Sequence, residues 1–236
     1  MHTIVFDVKG SFGHFRKPYA PVSPVTYPFP PPPSVLGLIG AICGYNKEDY
    51  HRLIGWERVK IAVALRSPVR FFRTAINLLN TDDGADKHFI PKGDAYRMQI
   101  PYEFLKGPSF RLYIAGLNEK ATTELLAQLE AGTTVYTPCL GFANCIADIS
   151  YVGDYAAEPL DGSISESCAS VVPWHDGTVV DYQDGQRYQR FRIPVVMDFA
   201  RVVHRYQDVL LAEDGGAMSV KGVETYEVGS ETIAFL

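Results

Sequence analysis

"SFGHFRKPYAPVSPVTYPFPPPPSVLGLIGAI", residues Ser11–Ile42, is the stretch on which the reading of the fold turns. A basic pair, Arg16 and Lys17, leads into a proline-rich segment. Apolar residues at helical spacing follow: Val35, Leu36, Ile39, Ile42 and Cys43. Ser34 stands where an N-cap belongs, directly after Pro33. Gly37, Gly40 and Gly44 lie three and four apart and so share one helix face. Each costs about 1 kcal/mol relative to alanine in a helix interior. Close backbone approach offsets that cost, either to a sheet or to a phosphate near the helix N-terminus. Upstream, "TIVFDVKGSF" (Thr3–Phe12) alternates as a half-buried strand does.

Outward from this stretch, "NKEDYHRLIGWE" (Asn46–Glu57) predicts a short helix and "VKIAVALRS" (Val59–Ser67) an apolar strand. Residues 68–109 carry Arg70, Arg73, Lys87, Lys92, Arg97 and Lys106, with turn signals at "TDDGAD" and "PKGD". They read as a long β-hairpin insertion. "FRLYIAG" (Phe110–Gly116) is a strand. "NEKATTELLAQLEAG" is the clearest helix, with Asn118 as cap, Leu125, Leu126 and Leu129 as inner stripe and Gly132 as stop. "CIADISYV" (Cys145–Val152) is a further strand. Without the insertion the order is βαββαβ, the ferredoxin-like plan shared with the RNA recognition motif (RRM-like). "QRYQRFRIPVVMDFARVVHRYQDVLLA" and "GVETYEVGSETIAFL" then predict an antiparallel β-rich region. The expected architecture is α+β. A ferredoxin-like domain spans residues 1–152 with its insertion at 68–109, and a β-rich domain spans 153–236.

Composition is that of an ordinary globular chain: 236 residues, 47% hydrophobic and 21% charged. No apolar run reaches the roughly 18–20 residues that span a bilayer. The first residues lack the order of a secretory signal, so a cytoplasmic protein without membrane attachment is expected. The net charge of -5 is unevenly spread. Residues 1–110 hold 14 Lys and Arg against 9 Asp and Glu, a net of +5; residues 111–236 hold 8 against 18, a net of -10. Such asymmetry suggests a basic face for an anionic partner on an acidic body. Cys43, Cys139, Cys145 and Cys168 form no C-x-x-C pair and have no histidine at finger spacing, so they are expected as reduced, mostly buried thiols. Asp82, Asp83 and Asp86 lack calcium-loop spacing, and no P-loop, G-x-G-x-x-G, H-E-x-x-H or nucleophile elbow occurs. Neither metal nor cofactor is expected.

Binding chemistry is better represented than catalysis. Arg16 and Lys17 precede a stiff segment bearing Tyr19, Tyr27 and Phe29, and proline lowers the entropy lost when such a loop is held against a ligand. Cations for phosphates and flat faces for splayed bases are what single-stranded RNA requires. Arg66, Arg70 and Arg73 extend the basic character into the base of the insertion. His14, beside Phe15, has the chemistry to stack on a base or to act as a general base. Metal-independent RNA cleavage needs a base and a cation, and Lys87, His88 and Tyr45 are of suitable types.

"FDVKGSFGHFRKPYAPVSPVTYPFPPPPSVLGLIGAI" resembles the N-terminal signature of the CRISPR-associated Cas-five family, within the RAMP superfamily. "QIPYEFLKGPSFRLYIA" and "YTPCLGFANCIADI" are similar to two later segments of that family. The flavour is nearest subtype I-B. The resemblance implies a noncatalytic subunit of the Cascade surveillance complex, serving antiviral defence, that holds the 5′ repeat-derived handle of the CRISPR RNA and caps the backbone filament. The insertion would be a thumb projecting toward the neighbouring backbone subunit, with the large subunit alongside and target DNA met through guide pairing. His14, Phe15, Arg16, Lys17, Tyr27, Ser34 and Gly37 would lie near the handle, with Arg66, Arg70 and Arg73 at the thumb base. Gly141 would admit the RNA backbone. One branch, subtype I-C, cuts its own precursor RNA with a tyrosine, a lysine and a histidine. A metal-independent endoribonuclease built on Tyr45, Lys87 and His88 is therefore the alternative.

Overall fold

The computed structural model describes residues 1–20, 22–55, 58–79, 97–198 and 200–236. The chain opens with β1 (His2–Lys9), followed by three two-residue strands, β2 (Phe12–Gly13), β3 (Phe15–Arg16) and β4 (Thr26–Tyr27). Helix α1 (Pro32–Cys43), the short α2 (Tyr50–Ile54) and β5 (Lys60–Leu65) come next. Strands β6 (Phe71–Leu79) and β7 (Arg97–Lys106) pair antiparallel as the insertion hairpin. Residues 80–96 between them, including Lys87 and His88, lie outside the described residues. β8 (Ser109–Ala115), α3 (Glu119–Ala131) and β9 (Asp148–Pro159) follow.

β9, β1, β8 and β5 lie side by side in that order, each neighbouring pair antiparallel. Ile4, Phe6 and Val8 of β1 join Val63 of β5 and Leu112 of β8 in a core completed by α1 and α3. Burying a side chain such as Phe6 contributes about 1.5–3 kcal/mol. β1 is not half-buried as its alternation suggests: Ile4, Val5, Phe6 and Val8 are all 2% exposed or less. The cause lies in the second half of the chain.

That half begins with β10 (Glu166–Cys168), β11 (Val172–Pro173) and β12 (Val179–Asp181). The long β13 (Tyr188–Met197) and β14 (Val203–Ala212) come next, then β15 (Met218–Lys221), β16 (Tyr226–Val228) and β17 (Glu231–Ile233). Five of these strands extend the first sheet into a nine-stranded one, ordered β12-β15-β10-β17-β16-β9-β1-β8-β5. Val5, Ala62 and Tyr113, on the face away from the helices, pack with Tyr226, Val228 and Ile233. The expected domain boundary at 152/153 falls inside β9, which pairs with β1 on one side and β16 on the other. Within the otherwise antiparallel pairing, Cys168 meets Thr232 in parallel. A second sheet, β11-β14-β13, places Ile193, Val195, Val209 and Leu211 in the core shared with α1. The architecture is a strand-rich α+β fold. No helix among the described residues is long and apolar enough to cross a membrane.

Helix α1 starts three residues earlier than an N-cap at Ser34 implies. Its N-cap is Pro31, and no side chain caps it. The first four amides of a helix normally lack partners. Pro31, Pro32 and Pro33 have no N–H to satisfy, and Ser34 and Val35 both donate to the Pro31 carbonyl, at 2.8 and 3.2 Å. Capping is therefore unnecessary, and the N-terminus has no idle donor for a phosphate. The glycines divide by neighbour. A Cβ on Gly40 would lie 3.3 Å from the Cβ of Tyr50 on α2. Gly44 is the left-handed C-cap (φ 79°), and a Cβ there would lie 2.7 Å from Val135. Gly37 is exposed and faces open space. In denaturant titrations Gly37→Ala is expected to raise stability by about 0.5–1 kcal/mol. Gly44→Ala should lower it by more than about 1 kcal/mol.

Candidate nucleic-acid interface

The described strap residues, 11–20 and 22–30, contact the insertion hairpin on one side, through Phe12, Pro24 and Thr26, and the rest of the molecule on the other, through His14 and Tyr27. Phe12 pairs with Lys106 and Gly13 with Leu105, so β2 becomes the third strand of the hairpin sheet. β3 and β4 then pair with each other, Phe15 with Tyr27 and Arg16 with Thr26. Alternation sends Phe15 inward against Phe110 at 6.1 Å and Arg16 outward.

Glu103 on β7 ties the strap down. Its carboxylate, on a residue only 8% exposed, accepts from Arg73 Nε and Nη2 at 3.0 and 2.8 Å and from the Thr26 amide at 3.3 Å. Its backbone N–H donates to Pro24 at 3.0 Å, and its carbonyl accepts from His14 Nδ1 at 2.8 Å. A buried carboxylate is costly unless paired and hydrogen-bonded, and here both conditions are met by the strap and β6. Glu103 escapes the sequence reading because no local motif marks it; its place opposite Arg73 in the register is the signal.

His14 is 3% exposed and packs among the rings of Tyr102, Phe104 and Phe142. It has no open face on which to stack a base. A carbonyl only accepts, so Nδ1 carries the proton, and the buried Nε2 has no hydrogen-bond partner among the described residues. Burial, reinforced by Arg16 and opposed by the Glu103 carbonyl and charge, pushes its pKa below the ordinary value. Phe15 and Tyr27, 3% and 2% exposed, are likewise core residues, not base-stacking faces. Burial drives the Tyr27 phenol up to about 12, and its hydroxyl donates to the Arg192 carbonyl at 3.2 Å. Gly141 (φ 80°) does allow close approach, but to the strap: a Cβ there would lie 2.3 Å from the His14 carbonyl.

The basic residues fall into two groups. Arg66 pairs with Glu231, which also accepts from Tyr113 at 2.5 Å and Arg111 at 3.2 Å. Arg73 is committed to Glu103. By contrast Arg70 and Lys106 are exposed and make no ion pair among the described residues. Lys106 N–H donates to the Arg70 carbonyl at 2.8 Å, one step beyond the Phe71–Leu105 pair, so the two cations stand opposite each other. Period-two alternation puts Phe12 and Phe72 on the same face, 5.7 Å apart and 39% and 40% exposed. Arg16 and Tyr19 are exposed on the strap, and the Lys17 ammonium lies 5.0 Å from the Phe191 ring and 5.5 Å from that of Tyr27. Phe12, Phe72 and Lys106 are absent from the expected site, although their strand register with Arg70 assembles it.

Tyr45 follows α1, and its phenol donates to Glu124 on α3. Burial and then that hydrogen bond push its pKa above the ordinary range, so it is poorly suited to act as a base.

For His14 the sign of the pH effect follows from the depressed folded pKa. The unfolded state, with a pKa of about 6.5, takes up its proton first as pH falls. Stability should hold above about pH 7 and decline through about pH 6.5 toward the folded pKa. His14→Gln is expected to flatten this slope in pH-dependent urea titrations but not abolish it. The residue is the share of His51, whose pKa is also lowered by burial. An unchanged slope contradicts the assignment.

Comparison with known proteins gives a family. The model described as "CRISPR-associated protein (Cas_Cas5)" matches residues 3–210. No curated protein sequence matches the chain. A CRISPR protein from Archaeoglobus fulgidus is similar in structure, with a TM-score of 0.60 at 16% identity over 100% of this chain and 99% of that one. A chain of a CRISPR RNA-guided surveillance complex superposes with a TM-score of 0.55 at 11% identity, covering 97% of this chain and 92% of its own. At such identities these likenesses speak to the fold alone. The family match, running over most of the 236 residues, makes the chain a member of the CRISPR-associated Cas5 family.

Proposed function

We propose that this chain is a noncatalytic RNA-binding subunit of a type I CRISPR effector complex, holding the repeat-derived 5′ handle of the guide RNA. The observation that carries the reading is the face at the base of the hairpin. Arg70 and Lys106 stand opposite each other with exposed Phe12 and Phe72 beside them. Like charges facing across strands repel, and a phosphate between them relieves the repulsion. The rings offer flat faces to splayed bases. Arg16, Lys17 and Tyr19 on the strap extend the surface. Family membership supports the assignment, as does the similar fold of a chain from an RNA-guided surveillance complex.

In this reading the β9-β1-β8-β5 order, with α1 and α3 on one face, is the ferredoxin-like plan. The hairpin is a thumb directed at a backbone subunit, the large subunit lies alongside, and the chain caps the filament in a cytoplasmic complex of I-B-like subtype. Target DNA is met through guide pairing. The protonated Tyr45 phenol, engaged by Glu124, supports the noncatalytic assignment over the nuclease alternative.

The purified protein should bind repeat-derived handle RNA in fluorescence anisotropy and leave it intact in a chelator. Replacing Arg70 and Lys106 together by alanine should weaken binding about tenfold or more, as loss of charge-assisted hydrogen bonds does. Unchanged affinity removes this face from the site. A defined cut overturns the noncatalytic assignment.

A further inference from the structure

The acidic second half of the chain carries a cationic end on one of its hairpins. On β13 and β14 the register pairs Arg190 with Leu210, Arg192 with Asp208 and Pro194 with Tyr206. Period-two alternation therefore puts Arg190, Arg192, Tyr206 and Asp208 on one face. The opposite face, with Phe191, Ile193 and Val209, goes into the core. Leu210 and Ala212, toward the far end of the first face, are buried in a separate apolar cluster, and Pro194 opposite Tyr206 is buried, whereas Arg190, Arg192 and Tyr206 are exposed.

The two arginines are differently employed. Arg190 is paired with Asp208 at 2.5 Å and lies 5.3 Å over the ring of Trp174. Arg192 is exposed and makes no ion pair among the described residues; its guanidinium lies 5.5 Å from the ring centre of Tyr206, which is 40% exposed. A guanidinium over a phenol ring is a planar platform whose N–H groups remain available. The strap meets this strand at its edge and on its other face: Tyr27 donates to the Arg192 carbonyl, and Lys17 covers the ring of Phe191, the next residue along. Tyr19, 70% exposed, stands on that same strap.

We propose that Arg192 and Tyr206 form a further subsite for single-stranded RNA, in which a base stacks on the Arg–Tyr platform and Arg192 holds an adjacent phosphate. The subsite carries the strand from Arg16 and Lys17 onto the second half of the chain, and it rests on the RNA-binding reading given above. The chemistry favours RNA over an acidic peptide because the cation is coupled to an exposed aromatic face, which stacks bases but adds little for carboxylates.

The test is fluorescence anisotropy of the full chain with repeat-derived RNA and with an oligouridylate of about 10 nucleotides. Tyr206→Ala is expected to weaken binding about five- to a hundredfold, whereas Tyr206→Phe, which keeps the ring, stays within about twofold. Arg192→Ala should weaken binding and reduce the slope of log K against log salt by about one. The altered side chains are exposed, and circular dichroism melts verify that each variant is folded. If the wild type binds neither RNA, the RNA-binding reading fails and this inference falls with it. If the wild type binds and both alanine variants bind equally well, only this inference is overturned, and the pair belongs to a protein contact.

Discussion

Neutralising the Glu103 carboxylate is the constraint around which the interface is arranged. At 8% exposure this group requires a cation and donors, and they come from different parts of the chain. Arg73 reaches it from the neighbouring strand and the Thr26 amide from the strap, while the Glu103 backbone engages Pro24 and His14. One residue thus fixes the strap, the insertion hairpin and the orientation of a buried imidazole together. A preformed surface loses less entropy on binding than one that must be ordered.

Prolines and glycines do structural work that residue type alone disguises. The run Pro31–Pro33 looks like a stiff approach to a helix capped by Ser34. In the fold it enters the helix itself, and by removing N–H groups it removes the need for a cap. The same substitution of chemistry excludes the helix N-terminus as an anion site. Gly141 and Gly40 allow close approach of protein to protein, whereas Gly37 is left facing open space.

Legibility of the sequence followed the range of the interactions. Helix α3 was readable in full, from Asn118, which accepts the Ala121 amide at 2.8 Å, to the left-handed Gly132, because caps and stripes are local. The order of the longer strands and of the helices through β9 was readable for the same reason, but the two-residue strands β2, β3 and β4 were not, since each is defined by its pairing partner. The burial of both faces of β1 was not, since Tyr226, Val228 and Ile233 reach it from the far end of the chain. Among the candidate site residues, Arg70 is exposed on a face it shares with Lys106, while Arg66 is tied to a glutamate 165 residues away. His14, Phe15 and Tyr27 carry binding chemistry by type, and only tertiary packing reveals that they are core. Basic residues are counted in a sequence, but their commitments depend on which acids the fold brings near.

The strap is locked in place before any nucleic acid arrives. Native-state hydrogen exchange on the isolated protein tests it at the amides of His14, Phe15, Lys17, Thr26 and Glu103, each of which has an acceptor in the fold. These amides are expected to be protected to a degree comparable with the β1–β8 ladder. Exchange at the rate of unstructured chain, with protection only after RNA is added, would show a strap that is ordered by its ligand.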